Sequence, residues 1–192
     1  MEKNKMKSER TSSKIGQSKE KMKSKETGEN VMRKIRLEKV ILSVGGTGDV
    51  LEKGTKILER VSLKKVVKRK SKKRIPSLGV RPGLEVGAMI TIRKNPEEIL
   101  KRLLATNENV LKIKQVSENT FSFGIKEYIE IPGMDYQRDI GIIGFDVTVT
   151  LKRAGKRIRL KKIKRGKIPL RQTISKEEVI KFMEDNFQTK FI

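Results

Sequence analysis

The chain has 192 residues, 36% of them charged, and its 47 Lys and Arg against 23 Asp and Glu give a net charge of +24. It has no cysteine and no histidine, which excludes disulfides, thiol catalysis and Cys- or His-ligated metal, and removes the commonest general base at neutral pH. The 35% of hydrophobic residues still support one buried core, while no apolar run approaches the ~20 residues of a membrane span.

Residues 1–29 are a Lys/Ser/Glu-rich segment whose only branched apolar residue is Ile15. Such a stretch buries too little surface to offset its ordering entropy, so it is expected to be a disordered extension, with a single domain over 30–192. Ile35 to Val44 reads as a strand, broken by the glycine turn Gly45-Gly46-Thr47-Gly48. A helix follows to about Val61, with Asp49 as its N-cap and Val50, Gly54, Ile57, Leu58 and Val61 on one side. A short strand is expected around Lys65 to Lys68. Glu85 to Arg93 alternates as a strand with one buried face. Asn95-Pro96-Glu97-Glu98 starts a helix, with a cap residue, Pro at the first position and acids at the positive dipole end. Val110 to Val116 and Phe121 to Ile131 read as strands, and Pro132 to Gly144 as a loop. Phe145 to Lys152 alternates most clearly of all, with Asp146, Thr148, Thr150 and Lys152 on its polar face. Ser175-Lys176-Glu177-Glu178 is a capping box opening a last helix, with Val179, Phe182, Met183 and Phe187 toward the core. Three main helices and five or six strands in mixed order predict an α+β domain: an antiparallel sheet of about five strands with helices packed on one face.

The charge is concentrated. Lys64 to Arg74 holds eight cations in 11 residues (Lys64, Lys65, Lys68, Arg69, Lys70, Lys72, Lys73, Arg74), and no acid. Lys152 to Arg171 holds 11 in 20 (Lys152, Arg153, Lys156, Arg157, Arg159, Lys161, Lys162, Lys164, Arg165, Lys167, Arg171), again without an acid. Outside these runs and the first 29 residues the chain is nearly neutral. Two cationic patches on a neutral body predict a polyanion partner, because each cation docked on a phosphate releases condensed counterions.

Other candidate sites reduce to structure. The glycine turn lacks the third glycine and the downstream acid of a dinucleotide fingerprint, though its backbone suits approach to an RNA phosphate at the helix N-terminus. Glu97/Glu98 and Glu177/Glu178 are explained by helix dipoles. Phe121-Ser122-Phe123-Gly124 echoes the aromatic strand of RRM domains, but with six Phe, two Tyr and no Trp the pair is read as core. Few stacking platforms point to structured RNA read through backbone and shape.

In order along the chain, Asn30-Val31-Met32-Arg33-Lys34-Ile35-Arg36, Gly48-Asp49, Lys56-Ile57-Leu58-Glu59 and Ser77-Leu78-Gly79-Val80-Arg81 occur at family-like spacing. So do Glu97-Glu98-Ile99-Leu100, Phe121 to Glu127, Asp139 to Asp146 and Ser175-Lys176-Glu177-Glu178. Together they resemble the large-subunit ribosomal protein of universal family five, in its archaeal/eukaryotic form. Val31 stands where the family usually has proline and Ser43 where asparagine is typical, and the glycine loop is shorter. Pro82-Gly83-Leu84 departs from a more polar loop tip.

The resemblance implies a non-enzymatic ribosomal constituent of the central protuberance, cytoplasmic, with no cofactor, no metal, no membrane and no small-molecule substrate. Its implied partners are 5S rRNA, large-subunit rRNA, P-site tRNA, a small-subunit head protein and other 5S-associated ribosomal proteins. On this reading Asn30, Met32, Arg33, Arg36, Ser43, Gly45, Gly46, Thr47 and Gly48 meet 5S rRNA, and the two basic runs neutralise rRNA phosphates. Ser77, Leu78, Gly79, Val80, Arg81, Pro82 and Gly83 form the tRNA-facing loop, and Pro132, Met134, Asp135, Tyr136 and Gln137 the subunit bridge. The alternatives are an RNA-modifying or RNA-processing enzyme, for which Asp146 and Lys152 are the available strand-borne pair, or an RNA chaperone acting through the basic tail.

Overall fold

The computed structural model describes residues 30–192, so the expected N-terminal extension and the tail-borne chaperone reading lie outside the described residues. The described residues group into two compact units, one of 35–152 with 168–192, the other of 30–34 with 153–167.

The larger unit runs β1 (Arg36–Gly45), α1 (Asp49–Ser62), β2 (Val67–Lys70), β3 (Glu85–Ile92), α2 (Pro96–Thr106), β4 (Val110–Leu111), β5 (Val116–Ser117), β6 (Thr120–Ile125) and β7 (Phe145–Lys152). After the excursion into the smaller unit, which carries the one-turn helix α3 (Arg157–Leu160), it ends with α4 (Lys176–Phe187) and β8 (Lys190–Phe191). Six strands form one sheet in the order β2-β3-β1-β7-β6-β5. Every neighbouring pair is antiparallel.

The alternation read from the sequence makes the core. Val40 lies opposite Ile92 and Val149, and Leu42 opposite Ile90 and Val147, so buried side chains from three central strands fall in rows on one sheet face. Each such residue contributes about 1.5–3 kcal/mol of burial. Helix α1 packs on β1 and β3, and α2 on β1. A Cβ on Gly54 would stand 2.6 Å from Val44 Cγ1, so the missing side chain sets how closely α1 approaches β1. In α2, Leu100, Leu103 and Leu104 are buried. The capping box of α4 is formed: Ser175 N–H donates to Glu178 Oε2 at 3.0 Å, and Ser175 Oγ accepts from Glu178 N–H at 3.4 Å. Phe121 and Phe123 are buried and stacked, with ring centroids 6.3 Å apart, as a core pair.

Several expectations are corrected. The N-cap of α1 is Gly48, not Asp49; its φ of 58° is a conformation that favours glycine. Val50 falls on the apolar stripe but sits in the first turn against Gly46 and stays half exposed, while Leu51 is buried. Asn95 occupies the N-cap of α2 in the left-handed region, without a side-chain cap bond. Phe182 and Phe187 are only partly buried. The strand expected near 65–68 is Val67–Lys70. The strand expected over 110–116 is split by a 3₁₀ turn at Ile113–Gln115, where Gln115 Oε1 accepts from Lys112 N–H at 3.0 Å. Its first part, β4, pairs in parallel with β8, a sheet the sequence did not announce. The strand expected to run from Phe121 to Ile131 ends at Ile125, and Tyr128–Glu130 is a 3₁₀ turn. There the chain is crowded by Gly144, where a Cβ would meet the carbonyl oxygens of both Ile125 and Lys126.

Candidate nucleic-acid interface

In the larger unit, β2 is the edge of the sheet, and all four of its residues are exposed. Its pairing with β3 continues past the strand ends, through Ser71 N–H to Leu84 O (2.8 Å) and Gly83 N–H to Ser71 O (2.9 Å). Strand alternation separates Lys68 and Lys70 from Val67 and Arg69. Lys68 and Lys70 line a shallow cleft of about 360 Å³ together with Gly48, Leu51, Glu52, Gly83, Leu84 and Glu85. The glycine turn and the first basic run, about 20 residues apart in the chain, therefore meet in one place. Gly48 O accepts from the N–H groups of Leu51 and Glu52, at 3.0 and 3.2 Å. No side chain caps this end of α1, so its positive dipole end opens beside the two lysines. Lys68 Nζ pairs with Glu85 at 3.2 Å in an exposed geometry, and Arg69 Nε donates to Met89 Sδ at 2.9 Å.

The other predicted residues spread over both units. Gly45 ends β1 opposite Gly87, Gly46 N–H donates to Val86 O at 3.1 Å, and Thr47 is exposed in the turn. Ser43 lies between Met89 and Asp146 on the sheet face opposite the core, and Arg36 is exposed at the start of β1, opposite Lys152. Lys64, Lys65, Lys72, Lys73 and Arg74 are exposed, as is Arg171, in a 3₁₀ turn before α4. In the smaller unit, Asn30–Arg33 form a 3₁₀ turn capped by Asn30 Oδ1, which accepts from Met32 N–H at 3.0 Å. Its other segment, 153–167, carries nine cations and no acid.

Two loops are more constrained than their sequence suggests. Within 77–83, Ile75 and Val80 form an antiparallel bridge around a 3₁₀ turn. Val80 is buried, whereas Ser77, Leu78, Arg81, Pro82 and Gly83 are exposed. Within 132–137, Met134 is buried under the loop. The buried Tyr128 hydroxyl accepts from Gln137 N–H at 2.9 Å, and Arg102 Nη2 donates to Pro132 O at 3.0 Å. Pro132, Asp135, Tyr136 and Gln137 stay exposed.

Sequence reasoning missed a second surface. The sheet face opposite the core presents Ile41, Ser43, Met89, Thr91, Thr148 and Ser122, half-buried or exposed and in register across four strands. The polar half of β7 signalled it, but the contributions of β1 and β3 depend on strand order. The proposed catalytic pair does not form. Asp146 and Lys152 share a strand face six positions apart, about 20 Å at ~3.4 Å per residue, too far to share a proton.

Residues 85–185 match the model of the C-terminus of the ribosomal protein uL5 family, which is more than half of the chain. The large ribosomal subunit protein uL5 of Nanoarchaeum equitans is 40% identical over 168 residues, covering 85% of this chain and 99% of that protein. The uL5 proteins of Sulfurisphaera tokodaii and Archaeoglobus fulgidus are 39% and 37% identical, covering 95% and 93% of their own lengths. A basic α+β domain, matched by near-full-length relatives through its core strands, helices and basic segments, thus belongs to the uL5 family, the non-enzymatic structural proteins of the large ribosomal subunit.

Proposed function

We propose that the protein binds 5S rRNA and ties it to large-subunit rRNA in the central protuberance. The observation that carries this reading is the cleft in which the uncapped N-terminus of α1 and the backbone of Gly48 stand beside Lys68 and Lys70 on a fully exposed edge strand. Backbone N–H groups at a helix start and flanking lysines together form a phosphate cradle. The turn 45–48, with Ser43, Arg36 and the capped turn of Asn30, Met32 and Arg33, is assigned to 5S rRNA. The remaining cations of both runs are assigned to phosphates of either rRNA.

The hairpin tip, with Arg81 and Pro82 presented and Val80 as its anchor, is assigned to P-site tRNA. Asp135, Tyr136 and Gln137, held by Tyr128 and Arg102, are assigned to the small-subunit head protein and Met134 to anchoring their loop. Contacts to other 5S-associated proteins belong to the same reading.

The test is co-sedimentation and filter binding with 5S rRNA. If roughly 6–10 cations meet phosphates, affinity falls about 10³–10⁵-fold between 50 and 200 mM salt. A nearly flat log–log plot overturns the electrostatic account, and protein that migrates apart from 5S rRNA in the large subunit overturns the assignment.

A further inference from the structure

The smaller unit's segment 153–167 is not simply a solvated cationic loop. It turns at Gly155 (φ 93°), makes the single turn α3 and returns so that Gly166 N–H donates to Ile158 O at 3.3 Å. A Cβ on Gly166 would stand 2.6 Å from Ile158 Cγ2, so the glycine lets the returning chain close onto Ile158. Beyond that closure Leu160 and Ile163 project among the cations, 65% and 78% exposed. A phosphate-binding loop needs no large aliphatic side chains, and leaving two of them in water forgoes burial that the fold supplies elsewhere.

Given the rRNA-binding reading above, on which this inference rests, we propose that Leu160 and Ile163 are apolar contacts to unpaired, unstacked bases of the rRNA that the surrounding cations hold. Charge complementarity selects the occupant. Nine cations without an acid in 15 residues repel a basic protein and attract a polyanion. The aliphatics then narrow the kind of RNA. A continuous A-form helix offers phosphates and 2′-hydroxyls, and its base faces are hidden by stacking. Apolar surface is exposed only at loops, bulges and helix ends, where a leucine or isoleucine can cover a base face. Cations around the pair supply affinity and register, and the pair supplies a preference for where on the RNA the loop settles.

The experiment compares the full chain with the Leu160→Ser/Ile163→Ser double variant on 5S rRNA, on large-subunit rRNA and on a fully paired RNA duplex, across a salt series. Both side chains are exposed, so the unfolding midpoint should be retained; a Leu160→Met/Ile163→Val variant, which keeps apolar surface, checks that shape alone is not at issue. The expected result is a drop in affinity of about ten- to a hundredfold on at least one rRNA, the scale of removing buried apolar surface. The slope against salt should be unchanged, the duplex unaffected and the conservative variant near wild type.

Equal drops on duplex and rRNA overturn the unpaired-base contact. Unchanged affinity for both rRNAs overturns the inference while leaving the rRNA reading intact, because that reading depends on the slope. Unchanged RNA affinity with failed incorporation into subunits assigns the pair to a protein neighbour and overturns it too. A wild-type slope near zero removes the underlying reading, and this inference with it.

Discussion

At the scale of single residues, three positions carry separable consequences. Leu63 ends α1 in the left-handed region (φ 52°), 88% exposed, with its N–H donating to Glu59 O at 2.8 Å. A branched side chain there costs about 1–2 kcal/mol that glycine avoids, partly offset by glycine's larger unfolded-state entropy. Leu63→Gly is therefore expected to stabilise the protein by about 0.5–1 kcal/mol in denaturant unfolding, with no change in RNA binding.

Gly54 behaves in the opposite sense. Alanine favours helix by about 1 kcal/mol, but its Cβ would press on the buried, β-branched Val44, and overpacking costs about 1–3 kcal/mol. Gly54→Ala should lower stability. An increase in the unfolding midpoint would show that α1 moves freely off β1.

Tyr128 is fully buried, and its hydroxyl accepts the Gln137 N–H. Tyr128→Phe should cost about 1–3 kcal/mol, because it leaves that part-buried donor unpaired. It should also raise amide exchange at Gln137 above that in β7. Unchanged exchange would mean that Arg102 and Met134 hold the loop without it.

At the scale of elements, β2 and its hairpin separate charge from shape. Lys68 is engaged with Glu85 and Arg69 with Met89, so Lys65, Lys70, Lys72, Lys73 and Arg74 are the exposed cations to remove for a change in RNA affinity. Replacing these five with glutamine should reduce the salt slope by about one unit for each phosphate left without its cation. Stability should change little, since exposed charges contribute about 0–1 kcal/mol each. A slope that stays at the wild-type value would assign the phosphate contacts to the second run.

Farther along the same hairpin, Arg81 is exposed beside the buried Val80. Arg81→Ala should leave 5S rRNA content of the subunit unchanged and speed tRNA dissociation from the P site modestly. A buried charge-assisted bond is worth about 1.5–3 kcal/mol and a wet one less. Unchanged dissociation would remove the tRNA assignment from this loop.

For the whole molecule, the net charge of +24 is carried almost entirely by segments outside the apolar body. The helices bury their stripes on one face of the sheet, and the cations occupy an edge strand, its loop and the smaller unit. Folding and RNA binding therefore draw on different residues, which is why most charge substitutions above are expected to leave stability unchanged.

The strands β1, β3 and β7, the capping box of α4 and the Pro96 start of α2 were legible in the sequence, as were both basic runs and the family. Each of these rests on residues within one or two turns or one strand of each other, so periodicity and capping chemistry reveal them directly. Only the tertiary structure decided that Gly48 shares a cleft with Lys68 and Lys70, that β4 pairs in parallel with β8, and that Val80 and Met134 anchor their loops from inside. Those outcomes depend on which distant segments the sheet brings together. Strand order and the burial of a lone apolar residue in a loop are fixed by packing across the molecule, and no local pattern records them.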